Sequence, residues 1–384
     1  MSRLNTIASL VIFVVLMTLP CCSTDKDGQN SGGPDIDTAD GSDVAADSAA
    51  KVDQSSDSVV PEDIRLDLNR IETSGDAPEV ENSDSIELFP ISPIGPLPGL
   101  WDCSADWDDS IGRISPVQLD CIIDPECTDK MVVAHRGAGG QIAIIAPENS
   151  LAGIRAAIIM GVDGVELDVR HTSDNEFVLM HDDSLKRTTG VDQQVDAMTL
   201  EEVLAVPLLA PESKYTGDFS CEYVPSFTEA MELVRGRLFV DLDCKTSRTD
   251  LIAQRIVELD MVDQVFISVS NVQAAVKARE AVPEIRIQIR PDSMDEVQES
   301  FELFARPAEI FEVPWDLVLE AVEPVHAVNS KLFADVFGQD AVALMLGDFS
   351  VYGDIYDQGA DVLQSEYPTF LLMLLDRVEW ESTR

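Results

Sequence analysis

From Met131 onward, short apolar runs alternate with stretches whose apolar positions repeat at helical spacing. Eight runs read as strands: Met131–Ala134, Gly164–Arg170, Leu238–Cys244, Val265–Val269, Ile285–Ile289, Glu309–Val313, Lys331–Val336 and Asp361–Gln364. Helical patterns fall between them, for example over Phe227–Val234, Leu251–Leu259, Val272–Ala281 and Met294–Phe304, and Pro368–Val378 is apolar enough to close the series. Strand and helix in strict alternation predict a parallel α/β fold, and eight such units predict a (β/α)8 TIM barrel over 131–384. Phe177–Met180 is an extra, shorter run that reads as the return arm of a hairpin. A two-residue turn at Asp174-Asn175 would set Asp168 opposite His181.

The pattern fails ahead of the barrel. Residues 1–22 read as an export signal: Arg3 supplies the positive end, and Ile7–Leu19 is an apolar run of 13 residues. That is shorter than the ~20 residues a spanning helix needs. The following Leu19-Pro20-Cys21-Cys22-Ser23 resembles a bacterial lipoprotein signal, which implies a lipid on one of the two cysteines and a place outside the cytoplasm, anchored to an envelope membrane or else secreted. Residues 23–98 are rich in Asp, Ser, Glu and Gly and lack apolar periodicity, so they read as a disordered acidic linker ending in the proline-rich Pro90–Pro98. Residues 99–130 form a segment leading into the barrel, and hold three of the five cysteines beyond the signal: Cys103, Cys121 and Cys127, with Cys221 and Cys244 downstream. An oxidising compartment predicts that some of these pair.

Of the 384 residues, 71 are acidic and 26 are Lys or Arg, a formal net charge of −45. A surface this acidic excludes nucleic acid, which demands a basic patch, and disfavours polyanionic substrates. A small phosphodiester beside a bound divalent cation stays open.

The chemistry concentrates between Met131 and Gly190. His135-Arg136-Gly137 follows the first strand, and Pro147-Glu148-Asn149 opens a helix. Glu166 and Asp168 lie two apart on a strand, so their carboxylates share one face. On Leu238–Lys245 the same period presents Asp241, Asp243 and Lys245 together. Paired carboxylates form a hard oxygen site for Mg2+ or Ca2+. Two histidines can divide base and acid roles, and an arginine can grip a phosphate with two hydrogen bonds.

These motifs, with Pro147-Glu148-Asn149-Ser150, His181-Asp182 and Leu185-x-Arg187-Thr188-Thr189, resemble the glycerophosphodiester phosphodiesterases in order and spacing. Asp243-Cys244-Lys245 is similar to that family's Glu-x-Lys strand, with Asp in place of Glu. Ser365-Glu366 stands where Thr-Asp is common. The resemblance covers 131–378 and implies a metal-dependent hydrolase that cleaves a small glycerophosphodiester to an alcohol and glycerol 3-phosphate through a cyclic phosphate. It implies His135 and His181 as the catalytic pair, Glu166, Asp168 and Asp243 as ligands of one divalent cation, and Arg136 and Lys245 as substrate contacts. Glu148 and Asn149 then read as helix-start residues, Asp182 as an orienting acid, Arg187 as a salt-bridge residue, and His171 and His326 as bystanders. Two alternatives remain. One is a phospholipase-like enzyme acting on lysophospholipid, sphingomyelin or phosphatidylinositol, for which the apolar loop Gln141–Ala146 would line the pocket. The other is a non-catalytic ligand-binding surface lipoprotein.

Overall fold

The computed structural model describes residues 91–92, 95–96 and 99–378, apart from 139, 141–144, 212–213 and 216. The signal, nearly all of the acidic linker and most of the Gln141–Ala146 loop lie outside the described residues. Within the proline-rich transition, Ile91–Ser92 pairs antiparallel with Gly95–Pro96, a turn that its composition did not announce.

Nine strands follow in chain order: β1 Met131–Ala134, β2 Gly164–His171, β3 Phe177–Leu179, β4 Phe239–Cys244, β5 Val265–Val269, β6 Arg286–Ile289, β7 Ile310–Glu312, β8 Lys331–Asp335 and β9 Val362–Ser365. Each neighbour pairs in parallel through β2-β4-β5-β6-β7-β8-β9, and β1 bonds both β9 and β2. Eight parallel strands therefore close into the predicted (β/α)8 barrel, with β3 attached antiparallel to the end of β2. Helices return the chain between strands, among them α1 Leu151–Met160, α2 Phe227–Val234, α3 Thr249–Glu258 and α4 Val272–Ala281. Among the described residues no helix is long and apolar enough to cross a membrane.

Alternation along β4 shows how the barrel is filled. Val240 and Leu242 point outward into the core shared with the helices, while Phe239 points inward. Met131, Val133, Phe266, Ile310, Phe333 and Val362 join Phe239 in an apolar plug at the amino ends of the strands. Val117, Cys121 and Ile122 from the lead-in segment seal that plug from below. Gly164 is required here, because a Cβ would sit 2.4 Å from the Phe239 ring. The Cys121–Cys127 disulfide closes the sealing turn, and Cys103–Cys221 ties the same segment to the chain ahead of α2. Among the described residues Cys244 is unpaired, and it packs outward. Above the plug the inward positions turn polar, and the site begins.

The hairpin register differs from the expectation by one residue. His171 pairs with Phe177 and Val169 with Leu179, and Met180 N donates to Asp168 O at 3.0 Å, so Met180 and not His181 faces Asp168. The turn holds Ser173, Asp174 and Asn175 between Thr172 and Glu176, with Asn175 in the left-handed region at φ 62°. Asparagine tolerates that conformation and so supplies the extra residue.

Candidate active site

Three inward carboxylates meet at the carboxyl ends of β2 and β4. One oxygen each from Glu166, Asp168 and Asp243 lies within 4.8 Å of the others, and all three residues are buried. Register explains it: Glu166 pairs with Asp241 and Asp168 with Asp243 across neighbouring parallel strands. Burial pushes Glu166 well above the ordinary carboxylate range, and the charges of Asp168, Asp243 and Asp241 push it further. Burial works against the charge of Asp243 too, but Arg290 and Lys245 outweigh it and hold that carboxyl below its ordinary range.

β1 ends in a strained turn that sets the next residues. Arg136 adopts φ 48°, ψ 38° and Ala138 φ 112°, conformations costly for residues with a Cβ. The turn aims Arg136 N at Glu166 Oε2, 2.8 Å away, and leaves His135 Nε2 3.7 Å from the same oxygen. His135 Nδ1 faces Glu366 Oε1 at 2.7 Å, and Phe337 packs on the imidazole with ring centroids 4.5 Å apart. The Arg136 side chain turns inward. It is 3% exposed, and meets Glu148 Oε1 at 3.0 Å and Asp168 Oδ2 at 3.3 Å.

Asn149 is not the cap of α1; Ser150 is, accepting from Gly153 N. Asn149 clamps Asp168 instead, donating Nδ2 to Oδ2 at 2.8 Å and accepting from Asp168 N at 3.0 Å. Glu148 likewise does more than favour a helix start. It takes a two-pronged pair from Arg187, both at 2.7 Å, as well as the bond from Arg136. Arg187 Nε also donates to Asp182 Oδ2 at 2.7 Å, and Asp182 Oδ1 faces His181 Nδ1 at 2.8 Å. The hydrogen bond from His181, then Arg187, holds Asp182 below the ordinary carboxylate range against its partial burial. His181 thus reaches the carboxylate trio through a chain of ion pairs: Asp182, Arg187, Glu148, Arg136, Asp168. Asp182 and Arg187 take the orienting and salt-bridge parts expected of them. Lys245 Nζ lies 2.8 Å from Asp243 Oδ2 and 3.6 Å from Asp168 Oδ1. His171 and His326 stand apart: the first faces Thr246 Oγ1 at 2.8 Å, the second Asp361 Oδ2 at 2.8 Å, ahead of β9 at the opposite end of the barrel.

Residues 135–300 match the sequence pattern of the glycerophosphoryl diester phosphodiesterase family. That match lies within the barrel and takes in less than half of the chain. A glycerophosphodiester phosphodiesterase of Caldanaerobacter subterraneus subsp. tengcongensis is 30% identical over 164 residues, 41% of this chain and 65% of its own length. Mouse glycerophosphodiester phosphodiesterase 1 is 39% identical over 114 residues, 29% of this chain and 33% of its own. The chain thus spans less than two thirds of either relative. Among solved structures, a glycerophosphoryl diester phosphodiesterase of Parabacteroides distasonis shares the fold, with TM-score 0.59 and 23% identity over 71% of this chain and 96% of that one. An Oleispira antarctica phosphodiesterase, solved with the product sn-glycerol 3-phosphate, superposes with TM-score 0.52 and 25% identity over 64% of this chain and 96% of that one.

Two site residues had no part assigned from the sequence: Glu366, which stood there only as a departure from Thr-Asp, and Arg290. Glu366 follows β9 and Arg290 follows β6, where Arg290 makes a two-pronged bond to Asp243 at 2.5 and 3.0 Å. Both lie on the period-two inward face, after Gln364 and after Arg286 and Gln288 respectively. Polar residues at alternate positions of an otherwise apolar strand were the available signal.

Proposed function

We propose that this protein is a metal-dependent glycerophosphodiester phosphodiesterase that yields an alcohol and glycerol 3-phosphate. The observation that carries the reading is the convergence of three buried carboxylates beside His135, with His181 tied to them through the ion pairs of Asp182, Arg187, Glu148 and Arg136, and each imidazole backed by a carboxylate at Nδ1. The resemblance to relatives named for this activity supports the choice of substrate.

The donor set fits a hard divalent cation such as Mg2+ or Ca2+: it is all oxygen, three carboxylates strong, and short of compensating charge at Glu166. Glu166, Asp168 and Asp243 would hold it. The chemistry such a cation supplies there is neutralisation of the phosphate and polarisation of the attacking hydroxyl. The chain's own residues do the rest. Nδ1 of each histidine is engaged, which fixes the ring and leaves Nε2 for proton transfer. One histidine removes the proton of the substrate's 2-hydroxyl, whose oxygen bonds to phosphorus. The P–O bond to the leaving alcohol breaks as the other histidine protonates that oxygen. Water then adds to the cyclic phosphate with the two roles exchanged, opening it to glycerol 3-phosphate.

Incubating the purified protein with glycerophosphocholine and several lysolipids, with and without EDTA, and following products by phosphorus NMR tests the proposal. Glycerol 3-phosphate from the first substrate, only without chelator, is expected. A cyclic phosphate accumulating as the end product from lysolipids points to the phospholipase-like alternative. No turnover of anything points to a ligand-binding barrel.

The N-terminal signal, together with two disulfides in the described residues, supports a location outside the cytoplasm and a lipid on Cys21 or Cys22. Incorporation of labelled fatty acid that survives replacement of both cysteines by Ser would rule out Cys21 and Cys22 as its site, and no incorporation into the wild type would rule the anchor out.

A further inference from the structure

Three cationic side chains flank the carboxylate trio, and they are not equivalent. Arg136 is sealed at 3% exposure between Glu148 and Asp168. Lys245 and Arg290 stand toward the open mouth, with side chains 24% and 28% exposed. Both end on one carboxylate. Lys245 Nζ donates to Asp243 Oδ2 at 2.8 Å, while Arg290 donates Nη1 to Oδ2 at 2.5 Å and Nη2 to Oδ1 at 3.0 Å.

A carboxylate has about four lone-pair positions, and these three bonds fill most of them on Asp243. With the trio holding a divalent cation, Arg290 would share its partner with a like charge only a few ångströms away, and its own bond would weaken. Its side chain donates to no other carboxylate among the described residues, although the charges of Glu312 and Asp241 also reach it. A guanidinium at that mouth is matched by an anion presenting two oxygens side by side, as a phosphodiester does.

We propose that Arg290 is a substrate-binding residue, whose guanidinium passes from Asp243 to the non-bridging oxygens of the phosphodiester once a divalent cation occupies the Glu166–Asp168–Asp243 site. Lys245 accompanies it. The inference rests on the phosphodiester reading above. Its rival is that Arg290 is only a strut, orienting Asp243 as a ligand. The two differ in sign. Removing a positive charge weakens anion binding and leaves cation binding equal or tighter, whereas removing a strut weakens cation binding.

Calorimetric titration of Mg2+ into wild type, Arg290→Gln and Arg290→Lys, then of glycerol 3-phosphate and inorganic phosphate into the Mg2+-saturated proteins, separates them. For Arg290→Gln, Mg2+ should bind as tightly as before or tighter. Both anions should weaken by roughly 10- to 100-fold, the worth of one charge-assisted pair. KM for a glycerophosphodiester should rise in step while kcat moves less, and Arg290→Lys should recover part of the loss. A tenfold or greater loss of Mg2+ affinity with anion binding unchanged overturns the proposal in favour of the strut, and so does no change in either. If Arg290→Gln does not fold, titrations of Arg290→Met, which also removes the charge, decide by the same signs. Wild type that binds inorganic phosphate through Arg290, yet turns over no glycerophosphodiester, would defeat the substrate reading while leaving the anion site standing.

Discussion

Glu366 Oε1 lies 2.7 Å from His135 Nδ1, joining the residue after β9 to the residue after β1. Those strands are neighbours, with Ser365 in register with Ala134, so closing the barrel brings the carboxylate to the imidazole. The pairing fixes which nitrogen faces the acids. Gly140 makes room for it, since a Cβ there would fall 1.9 Å from Glu366 Oε2. Gly140→Ala should therefore displace Glu366 and act like Glu366→Gln. Both should lower kcat by roughly 10-fold or more, short of the 10²–10⁴ that the histidine itself is worth. Steady-state kinetics beside thermal melts checks this: an active Gly140→Ala enzyme would show that Glu366 has another place to go.

Replacing His135 or His181 by Ala should each cost roughly 10²–10⁴-fold in turnover. The double variant should fall little below the worse single one, because groups acting as a unit are not additive. His171→Ala and His326→Ala should stay within a few-fold of wild type, given their partners Thr246 and Asp361. Activity surviving in both His135→Ala and His181→Ala would end the phosphodiesterase reading.

Chelation should abolish activity, and added Mg2+ or Ca2+ should restore it and raise the melting temperature, since a cation bound only by the folded state stabilises it. Asp168→Asn should lose both responses while keeping the fold. Turnover undiminished in excess EDTA would be incompatible with the assignment of the trio.

Asp340 anchors the same wall by accepting from Tyr352 OH, Ser365 Oγ and Glu366 N at 2.8, 2.7 and 2.8 Å. Burial nevertheless pushes its carboxyl from 3.8 up to about 7, outweighing those hydrogen bonds. A carboxyl whose folded-state value is raised binds its proton more tightly in the folded chain, so its contribution to stability falls as pH rises between those two values and is level outside them. The slope is at most about 1.4 kcal/mol per pH unit. Asn at 340 cannot titrate, so the stability gap between wild type and Asp340→Asn should narrow from pH 5 to pH 7. Urea midpoints at several pH values measure it, and a gap that stays level would mean Asp340 is ionised throughout.

Strand order, the eight-unit count and the inward carboxylates were legible in the chain because each rests on a local rule. Period-two alternation put Glu166 with Asp168 and Asp241 with Asp243 on single faces, and a closed parallel barrel needs only that such strands recur. What closure decided was which faces meet. Asp243 came to Arg290, His135 to Glu366, and Glu148 to Arg187 through contacts 47, 231 and 39 residues apart in sequence. Cys103 found Cys221 over a separation of 118. The hairpin register was decided by one left-handed Asn175, whose backbone freedom lets a turn take two residues or three. Spacing alone cannot choose between those, and the one-residue difference moved His181 from the face of Asp168 to the end of a relay of ion pairs. Local periodicity thus determined which side chains point into the barrel; only the packed structure, by bringing distant strand ends together, determined which of them hold one another.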